Sequence, residues 1–173
     1  MPTDLNAVLA TQGMALLPVG KNCVTIIDVE DLSLLSIYKW SLTGRKYAGT
    51  SMSGNLVYLH RMLMGDADGV EYDHRNGFTL DNRKCNLRIA THHQNMQNRR
   101  KQEFFGKPDR LTSSKYKGVY FRKDRQRWSA YIGGPDTREW LGCFSTQEEA
   151  ALAYNTAAVV RFGEFARLNE VEP

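Results

Sequence analysis

Cysteine is scarce in this sequence, and long apolar runs are absent. The three cysteines, Cys23, Cys85 and Cys143, stand far apart and form no CxxC pair. This pattern argues against a disulfide scaffold or a zinc ribbon and favours a reducing cytosol. No apolar run approaches the roughly 18–20 residues that a membrane span needs. Because the first residues also lack the basic and apolar stretches of a secretory signal, we expect a cytoplasmic protein with no membrane partner.

Charge of one sign is in little excess overall, but it is unevenly distributed. The 173 residues include 23 Lys and Arg against 19 Asp and Glu, a formal net charge of +4. Residues 99–138 hold twelve basic and four acidic side chains, whereas residues 139–173 hold two and six. Such a basic stretch is either a solvated surface or a footprint for a phosphate backbone. Aromatic residues interleaved with it favour the footprint, because they indicate a folded surface.

Residues 14–60 have the pattern of a small region rich in strands. A β-branched run at 24–27 and strand-like segments near Trp40, at 47–48 and at 56–59 are separated by turn glycines. Short helical turns are expected between the first two strands and the third, and again from residue 60. Nothing catalytic is predicted before residue 60, and Trp40 is expected in the core.

Residues 70–99 have the pattern of a strand, a loop, a second strand and a helix. A strand-like segment at 70–74 leads into a polar loop rich in Asn, Asp and Gly. Residues 87–90 alternate apolar and polar side chains, as a half-buried strand does. Thr91 is a suitable N-cap for the helix that follows. This order brings polar side chains from the strand ends and the first helical turn together.

Four polar side chains of this unit have the chemistry for phosphodiester hydrolysis. The reaction needs a base that activates water, a cation that stabilises charge and groups that hold both. Asp73 has a hard carboxylate oxygen for magnesium, and His74 titrates near neutrality and can take a proton from water. Asn95 can present an amide oxygen to the same metal, and Asn86 can tie the loop and orient the histidine. Each residue type alone is common in surface turns, so the prediction depends on the ordered set.

Further polar residues extend this ordered set through residues 58–99. They are Leu59-His60-Arg61, Asp73-His74-Arg75-Asn76-Gly77, Asp81-Asn82-Arg83, Asn86 to Thr91, Gln94-Asn95 and Asn98. The set resembles the HNH nuclease motif of phage and intron homing endonucleases. The resemblance implies a ββα-metal unit in which Asp73 and Asn95 are metal ligands, His74 is the general base and Asn86 positions the loop. Asn95 stands where many members have histidine, which implies a weakly held hard cation, magnesium or alternatively manganese.

A second unit is predicted at residues 115–169, after a basic linker at 99–114. Three strand-like segments are separated by turns; they are 118–122, 128–132 and 138–144. Ser145 and Thr146 each precede a glutamate by three residues, which predicts a capped helix that runs to about Phe162. The unit is therefore expected to be a three-stranded antiparallel sheet packed on one helix.

Aromatic, glycine and alanine residues recur through this second unit in a distinctive order. They are Tyr116-Lys117-Gly118-Val119, Trp128 to Ile132, Trp140 to Phe144, Glu148 to Ala151, Ala153-Tyr154-Asn155, Ala157-Ala158 and Gly163 to Asn169. This order resembles the Apetala-two/ethylene-response-factor DNA-binding domain over nearly all of the unit. The resemblance implies that the sheet lies in the major groove of DNA and that the helix packs behind it.

Strand alternation predicts which side chains of this sheet face DNA. The predicted DNA-binding residues are Tyr120, Arg122, Arg125, Arg127, Ser129, Tyr131, Arg138 and Trp140. Trp128 is predicted to face the helix instead. Tyr120 and Tyr131 stand where the family usually has arginine and glutamate. We therefore infer the groove-facing surface from the resemblance, but not its target sequence.

The sequence thus predicts an α+β protein in two parts. A strand-rich region and a ββα-metal HNH nuclease unit occupy residues 1–98, the linker 99–114, and the DNA-binding domain 115–169. The expected function is that of a site-recognising DNA endonuclease that hydrolyses phosphodiester bonds with a divalent metal, with nicking as one outcome. The alternative is a non-catalytic, sequence-specific DNA-binding transcriptional regulator with a degenerate HNH scaffold.

The expected partner is double-stranded DNA. An RNA-binding module is disfavoured, because no RNP-like aromatic stretch or GxxG clamp stands out. We expect a monomer, with a dimer as the alternative. The expected location is the cytoplasm of a bacterial or phage-infected cell.

Overall fold

The computed structural model describes residues 9–44, 46–65, 67–99, 101, 114–133 and 137–172. The chain divides into two compact units, residues 1–95 and 96–173. Most of the predicted linker at 99–114 lies outside the described residues, and the predicted domain limits stay predictions. Within the described ranges, none of the helices combines the length and the apolar character needed to span a membrane.

Short strands and helices build the first part of the chain. The elements up to Asn98 are β1 (Met14–Pro18), β2 (Val24–Asp28), α1 (Leu32–Leu35), β3 (Ser41–Thr43), β4 (Tyr47–Met52), β5 (Asn55–Tyr58), α2 (Leu59–Met64), β6 (Glu71–His74), β7 (Leu87–Ala90) and α3 (His92–Asn98). The strands form three small antiparallel sheets with the orders β1–β2, β3–β4–β5 and β6–β7. The predicted strand-rich region before residue 60 is therefore present.

An apolar core holds the first hairpin and the two short helices in the N-terminal unit. Leu17 lies on β1, where buried and less buried side chains alternate, and it is 3% exposed. Ile27, Leu35 and Leu59 are 0% exposed and belong to the same core. Trp40 is 5% exposed, and its indole N–H donates to the carbonyl of Leu35 at 2.8 Å. A buried indole needs such a partner, so Trp40 is a satisfied core residue, as predicted.

The β6–β7 hairpin and α3 follow the predicted order of strand, loop, strand and helix. In the antiparallel register, Asp73 pairs with Arg88. Thr91 caps α3, because its hydroxyl accepts the backbone N–H of Gln94 at 3.2 Å and the Gln94 side chain accepts the N–H of Thr91 at 2.8 Å. This reciprocal pair fixes the start of the helix and therefore the position of its first turn.

The loop between β6 and β7 is anchored on β2. The N–H of Ile26 donates to the carbonyl of Leu80, and the N–H of Asn82 donates to the carbonyl of Ile26, both at 2.8 Å. These bonds form a parallel bridge between Ile26 and Asp81. The first hairpin of the chain therefore supports the polar loop that follows His74.

The C-terminal unit is a three-stranded antiparallel sheet packed on one helix. Its elements are β8 (Val119–Arg122), β9 (Arg127–Ile132), β10 (Glu139–Phe144) and α4 (Gln147–Phe162), and the strand order is β10–β9–β8. Ala150, Ala151 and Ala158 on α4 are 0% exposed, so the helix lies close to the sheet. Gly118 permits this approach, because a Cβ atom there would lie 2.2 Å from the Tyr154 ring.

Of the two candidate caps of α4, Thr146 is the one used. Its hydroxyl accepts the backbone N–H of Glu149 at 3.1 Å, and the Glu149 carboxylate accepts the N–H of Thr146 at 3.3 Å. The helix ends at Phe162, and Gly163 follows with a φ of 52°. A glycine adopts this left-handed conformation without strain, so the predicted helix limits are confirmed.

The two faces of the C-terminal sheet differ in exposure. Ala130 and Ile132 are 0% and 2% exposed and belong to the core beneath the helix. Trp128 packs partly buried against the same core. On the other face, Trp140 is 58% exposed and lies opposite Tyr131 in the register. The described residues together form a mixed α+β protein, as predicted.

Candidate functional site

Asp73 is buried on β6 and forms an ion pair with Arg88 on β7. Its Oδ2 accepts two hydrogen bonds from the Arg88 guanidinium, at 2.8 and 2.6 Å. The Arg88 and Asp73 side chains are 5% and 7% exposed. Because burying a carboxylate without a partner costs free energy, the fold depends on Arg88 to keep Asp73 in this position. The same pairing neutralises the charge of a predicted metal ligand.

His74 follows Asp73 in the chain but has different contacts. It is 5% exposed, and its Nε2 lies 3.2 Å from Oδ1 of Asn82. Burial lowers the pKa of His74, and the hydrogen bond to Asn82 and the charges of Asp73 and Asp81 only partly oppose this. The imidazole is therefore neutral at about pH 7, the form that can accept a proton.

His60, from α2, packs against His74 and borders a small cavity. The ring centroids of the two histidines lie 5.4 Å apart. Burial, together with the charges of His74 and Arg61, lowers the pKa of His60 to about 4. The cavity has a volume of about 210 Å³, and its lining includes His60, Arg61, Glu71 and Asn95. It therefore brings a neutral imidazole, a guanidinium, a carboxylate and an amide to one space.

Asn86 makes hydrogen bonds across the loop between β6 and β7. Its Oδ1 accepts the backbone N–H of Asn76 at 3.0 Å, and its Nδ2 donates to the carbonyl of Asp81 at 2.7 Å. Its own carbonyl accepts the N–H of Arg75 at 2.8 Å. Asn86 is 6% exposed, so little water competes for these bonds, and they fix the loop that follows His74.

Asn95, on the first turn of α3, contacts Glu71 on β6. Its Nδ2 donates to Oε2 of Glu71 at 3.0 Å, and Nδ1 of His92 lies 3.0 Å from Oε1. The hydrogen bond from Asn95, followed by that from His92, lowers the pKa of Glu71. Because the amide nitrogen of Asn95 is directed to Glu71, its amide oxygen is directed away from that carboxylate.

Asp73 and Asn95 have the donor atoms that a hard divalent cation prefers. Asn95 and Glu71 line the small cavity, whereas Asp73 is hydrogen-bonded to Arg88 on β7 and is not among the residues that line this cavity. A carboxylate and an amide oxygen suit magnesium or manganese, although Arg88 shares the Asp73 carboxylate. Within the part of the chain that the structure describes, no group of three or more His, Cys, Asp or Glu side chains is placed to hold a metal.

The exposed face of the C-terminal sheet carries two tyrosines and an arginine in contact. The Arg138 guanidinium lies 4.0 Å from the ring centre of Tyr131 and 4.7 Å from that of Tyr120. The two tyrosine rings meet edge to face, with centroids 6.1 Å apart. Together with the exposed Trp140, these planar groups can stack on bases, and the guanidinium can bind guanine or phosphate.

The other predicted arginines lie at the turn between β8 and β9. Arg122 donates two hydrogen bonds to Asp124, at 3.0 and 2.5 Å. Arg125 and Arg127 are exposed. Arg127 can reach a phosphate backbone as it stands, whereas Arg122 is held by Asp124 and Arg125 lies 4.0 Å from the same carboxylate.

Ser129 differs from the prediction that it contacts DNA. It lies on the outward face of the central strand, opposite Cys143, but it is 0% exposed. Its Oγ lies 3.2 Å from Sγ of Cys143. A short side chain on the central strand lies below larger neighbours such as Tyr120, its partner on β8. Ser129 therefore supports the face from below and does not reach a ligand above it.

The ammonium groups of two lysines in the C-terminal unit donate hydrogen bonds to backbone carbonyls. Lys101 Nζ donates to the carbonyl of Ser114 at 2.6 Å. Lys117 Nζ donates to the carbonyls of Gln97 and Arg99, at 2.5 and 2.9 Å. Burial lowers the pKa of each lysine to about 8. These hydrogen bonds hold the chain that precedes β8.

The chain is similar to an uncharacterized HNH endonuclease of Acanthamoeba polyphaga mimivirus. The two are 30% identical over 159 residues, which cover 88% of this chain and 78% of the relative. The chain belongs to the HNH endonuclease family. No family model matches the chain, and no solved structure gives a significant match.

Plant transcription factors are similar to a shorter stretch of this chain. An ethylene-responsive transcription factor of Arabidopsis thaliana is 46% identical over 56 residues, 31% of this chain and 30% of that protein. Dehydration-responsive element-binding protein 2C of the same plant is 50% identical over 56 residues, 31% of this chain and 16% of that protein. The match therefore spans less than a third of either plant protein. These matches support the predicted combination of the two families.

Several residues around the predicted site of the chain had no role assigned from the sequence. They are Thr25, Glu71, Asn82, Arg88 and His92. The sequence could have indicated Glu71, because a residue two positions before Asp73 on a strand lies on the same face as Asp73. No pattern in the sequence indicates Thr25, because it contacts the site through Asn82, which is 57 residues away in the chain.

Proposed function

We propose that this member of the HNH family hydrolyses phosphodiester bonds of double-stranded DNA with the help of a divalent cation, magnesium or alternatively manganese. The observation that carries the proposal is the neutral, buried His74 beside Asp73 at the end of β6. The loop that follows is tied by Asn86. Similarity to an HNH endonuclease over 88% of this chain supports the same conclusion.

His74 would act as the general base. Its lowered pKa keeps the imidazole unprotonated near neutral pH, so it can accept a proton from the attacking water. The hydrogen bonds of Asn86 keep the loop after His74 in one conformation. The base is therefore held in place before DNA arrives, which is the positioning that this step requires.

Asp73 and Asn95 would hold the cation, and β6, β7 and α3 would then act as a ββα-metal unit. When bound, a divalent cation supplies positive charge that stabilises the leaving 3′ oxygen. Asn95 can present its amide oxygen because its nitrogen is bonded to Glu71. Arg88 would share the Asp73 carboxylate with the cation or release it.

The C-terminal sheet would bring the nuclease to DNA. Its outward face combines Arg138 with two tyrosines in edge-to-face contact and the exposed Trp140. Base stacking and arginine contacts can give site recognition, and nearby exposed arginines can bind phosphates. The similarity to plant transcription factors supports DNA binding by such a sheet.

A monomer with one such site would cut one strand at a time and so produce nicks. Double-strand cleavage would then need a second event or a dimer. A cytoplasmic location agrees with Cys23, Cys85 and Cys143, which are all free thiols.

The alternative function is a DNA-binding transcriptional regulator whose HNH unit has lost catalysis. The Asp73–Arg88 ion pair favours this alternative, because it neutralises a predicted metal ligand. The two functions differ in whether DNA is cut once it is bound.

Incubation of the full chain with supercoiled plasmid distinguishes the two functions. We expect nicked circles in magnesium or manganese and intact plasmid in EDTA. Asp73→Ala should bind DNA as the wild type does and fail to cut at any magnesium concentration, since it removes the one charged ligand. Cleavage that persists in EDTA would contradict the metal mechanism, and DNA binding without cleavage would favour the regulator.

A further inference from the structure

A chain of buried hydrogen bonds ends at His74. The Thr25 hydroxyl donates to the carbonyl of Leu80 at 2.8 Å. The side-chain nitrogen of Asn82 lies 2.8 Å from Oγ1 of Thr25 and 3.5 Å from the carbonyl of Thr79. The side-chain oxygen of Asn82 lies 3.2 Å from Nε2 of His74. Thr25 and Asn82 are 0% and 1% exposed, so bulk water does not compete for these bonds.

The two backbone carbonyls determine the direction of every bond in this chain. A carbonyl oxygen only accepts, so the Thr25 hydrogen is directed to Leu80 and the Thr25 oxygen is left to accept from Asn82. The carbonyl of Thr79 likewise faces the nitrogen of the Asn82 amide. Positions of heavy atoms alone do not distinguish the two ends of an amide, but these partners do. Asn82 therefore presents its oxygen to His74.

We propose that Asn82 and Thr25 are positioning residues that fix the tautomer of His74, with the hydrogen on Nε2 and the lone pair on Nδ1. In a neutral imidazole one nitrogen donates and the other accepts. Because Asn82 presents an acceptor, Nε2 is the donor. The nitrogen that takes the proton from water is then Nδ1. This catalytic consequence rests on the proposed function, whereas the tautomer itself does not.

The first hairpin of the chain thereby takes part in the reaction. Thr25 lies on β2, which also anchors the loop through Ile26. Without the Thr25 hydroxyl, the Asn82 nitrogen keeps the contact with the Thr79 carbonyl, but at 3.5 Å this contact is too long to hold the amide firmly. The amide can then turn and present its nitrogen to His74. That donor favours the opposite tautomer, in which Nδ1 carries the hydrogen and cannot act as the base. Such a change disables the imidazole without removing it.

The tautomer can be measured directly by long-range ¹H–¹⁵N correlation spectroscopy of the full chain, above the pH at which its histidines are protonated. The protonated and unprotonated ring nitrogens have well-separated ¹⁵N shifts. We expect the wild type to carry its His74 hydrogen on Nε2. Asn82→Asp should keep this tautomer, because a carboxylate also accepts. Thr25→Val should give a mixture of tautomers or the opposite one.

Thr50→Val is a matched control for Thr25→Val. Thr50 is 6% exposed, and its hydroxyl donates to the carbonyl of Lys39 at 2.9 Å, in the same unit. The control loses a comparable buried hydroxyl that has no bond to Asn82. In plasmid cleavage, Thr25→Val should lower kcat by about 10–100-fold with KM for DNA unchanged, the usual loss for a residue that orients a functional group. Thr50→Val should leave both parameters unchanged.

A wild-type spectrum with the His74 hydrogen on Nδ1 would overturn the inference, whether or not the variants fold. The assignment of Thr25 would also fail if Thr25→Val showed the same tautomer and kcat as Thr50→Val. If the spectra agree with expectation but no protein cuts DNA with any divalent cation, the tautomer inference stands and the proposed function fails.

Discussion

At the scale of single residues, Asp73 and Arg88 face each other across β6 and β7, almost fully removed from water. We expect Arg88→Met to lower the free energy of unfolding by about 3–5 kcal/mol, because it leaves a buried carboxylate without its partner. Adding Asp73→Asn should restore part of this loss, since the amide carries no charge. Urea unfolding followed by circular dichroism measures both variants.

Arg161→Met is the control for this prediction. Arg161 pairs with Glu139 at 2.8 Å, but the two side chains are 36% and 63% exposed. An exposed pair contributes only about 0–1 kcal/mol, so this variant should unfold close to the wild type. If Arg88→Met and Arg161→Met lowered the free energy of unfolding equally, burial would not determine how much an ion pair contributes.

The buried His60 determines how stability changes with pH. Its pKa is about 4 in the folded chain against an ordinary value of 6.5, so folding favours the neutral form. As pH falls, the unfolded chain binds the proton first, and stability is lost between about pH 6.5 and 4. Relative to pH 7, the loss at pH 5 is about 2 kcal/mol from His60. The lowered pKa of His74 acts in the same direction.

Urea unfolding at pH 7 and pH 5 checks this dependence. His60→Phe keeps a ring in the same place and removes the titrating group, so it should lose less stability at pH 5 than the wild type. A variant that loses as much as the wild type would show that His60 is not the source of the pH dependence.

Local sequence patterns could indicate Asp73, His74, Asn86 and Asn95, because their residue types and order are distinctive. Their partners were not predictable. The bond between Asn95 and Glu71 depends on how α3 packs on β6, and Arg88 meets Asp73 through strand register. Alternation placed Ser129 on the outward face, but only the structure shows that its neighbours bury it.

At the scale of elements, the two tryptophans of the C-terminal sheet lie on opposite faces. Trp128 packs against the core and against Phe121, with ring centroids 5.0 Å apart. Trp128→Ala should lower the free energy of unfolding by about 3 kcal/mol, because it opens a cavity beneath the helix. Trp140→Ala should keep the fold and weaken DNA binding. Thermal melts beside fluorescence anisotropy with labelled duplex measure both effects, and the reverse outcome would show that the faces are inverted.

Elements with local signals were predictable, whereas their long-range pairings were not. Reciprocal caps at Thr91 and Thr146 mark the starts of α3 and α4 within four residues of sequence. The bridge from Ile26 to Asp81 has no such signal, since the two segments meet only in the folded chain. The same is true of the bulge between Trp140 and Gly142.

At the scale of the whole molecule, DNA affinity should fall as salt rises. The basic residues within 115–138 are Lys115, Lys117, Arg122, Lys123, Arg125, Arg127 and Arg138. Lys117 is hydrogen-bonded to backbone carbonyls, and Arg122 is hydrogen-bonded to Asp124. We expect about half of the seven side chains to reach phosphates. With about 0.9 counterions released per phosphate, the slope of log affinity against log salt should be roughly −3. Anisotropy titrations across a salt series measure it, and a slope near zero would contradict backbone binding.

Both parts of the molecule could be predicted because each has a dense motif within about one third of the chain. Between them, residues 99–114 have charge but no periodic pattern, so only a linker could be predicted there. The role of the first 57 residues was also not predictable. It depends on the hydrogen bonds between β2 and the loop that follows His74, which is distant in sequence.

Cleavage of supercoiled plasmid by His74→Ala, measured beside the wild type in magnesium, tests the central claim most directly. The imidazole is buried beside Asp73, while the proposed DNA-binding face lies on another sheet, so binding and cutting should separate. We expect the variant to bind duplex DNA with wild-type affinity and to nick about 10²–10⁴-fold more slowly. Plasmid cleavage by His74→Ala at the wild-type rate would contradict the assignment of His74 as the general base.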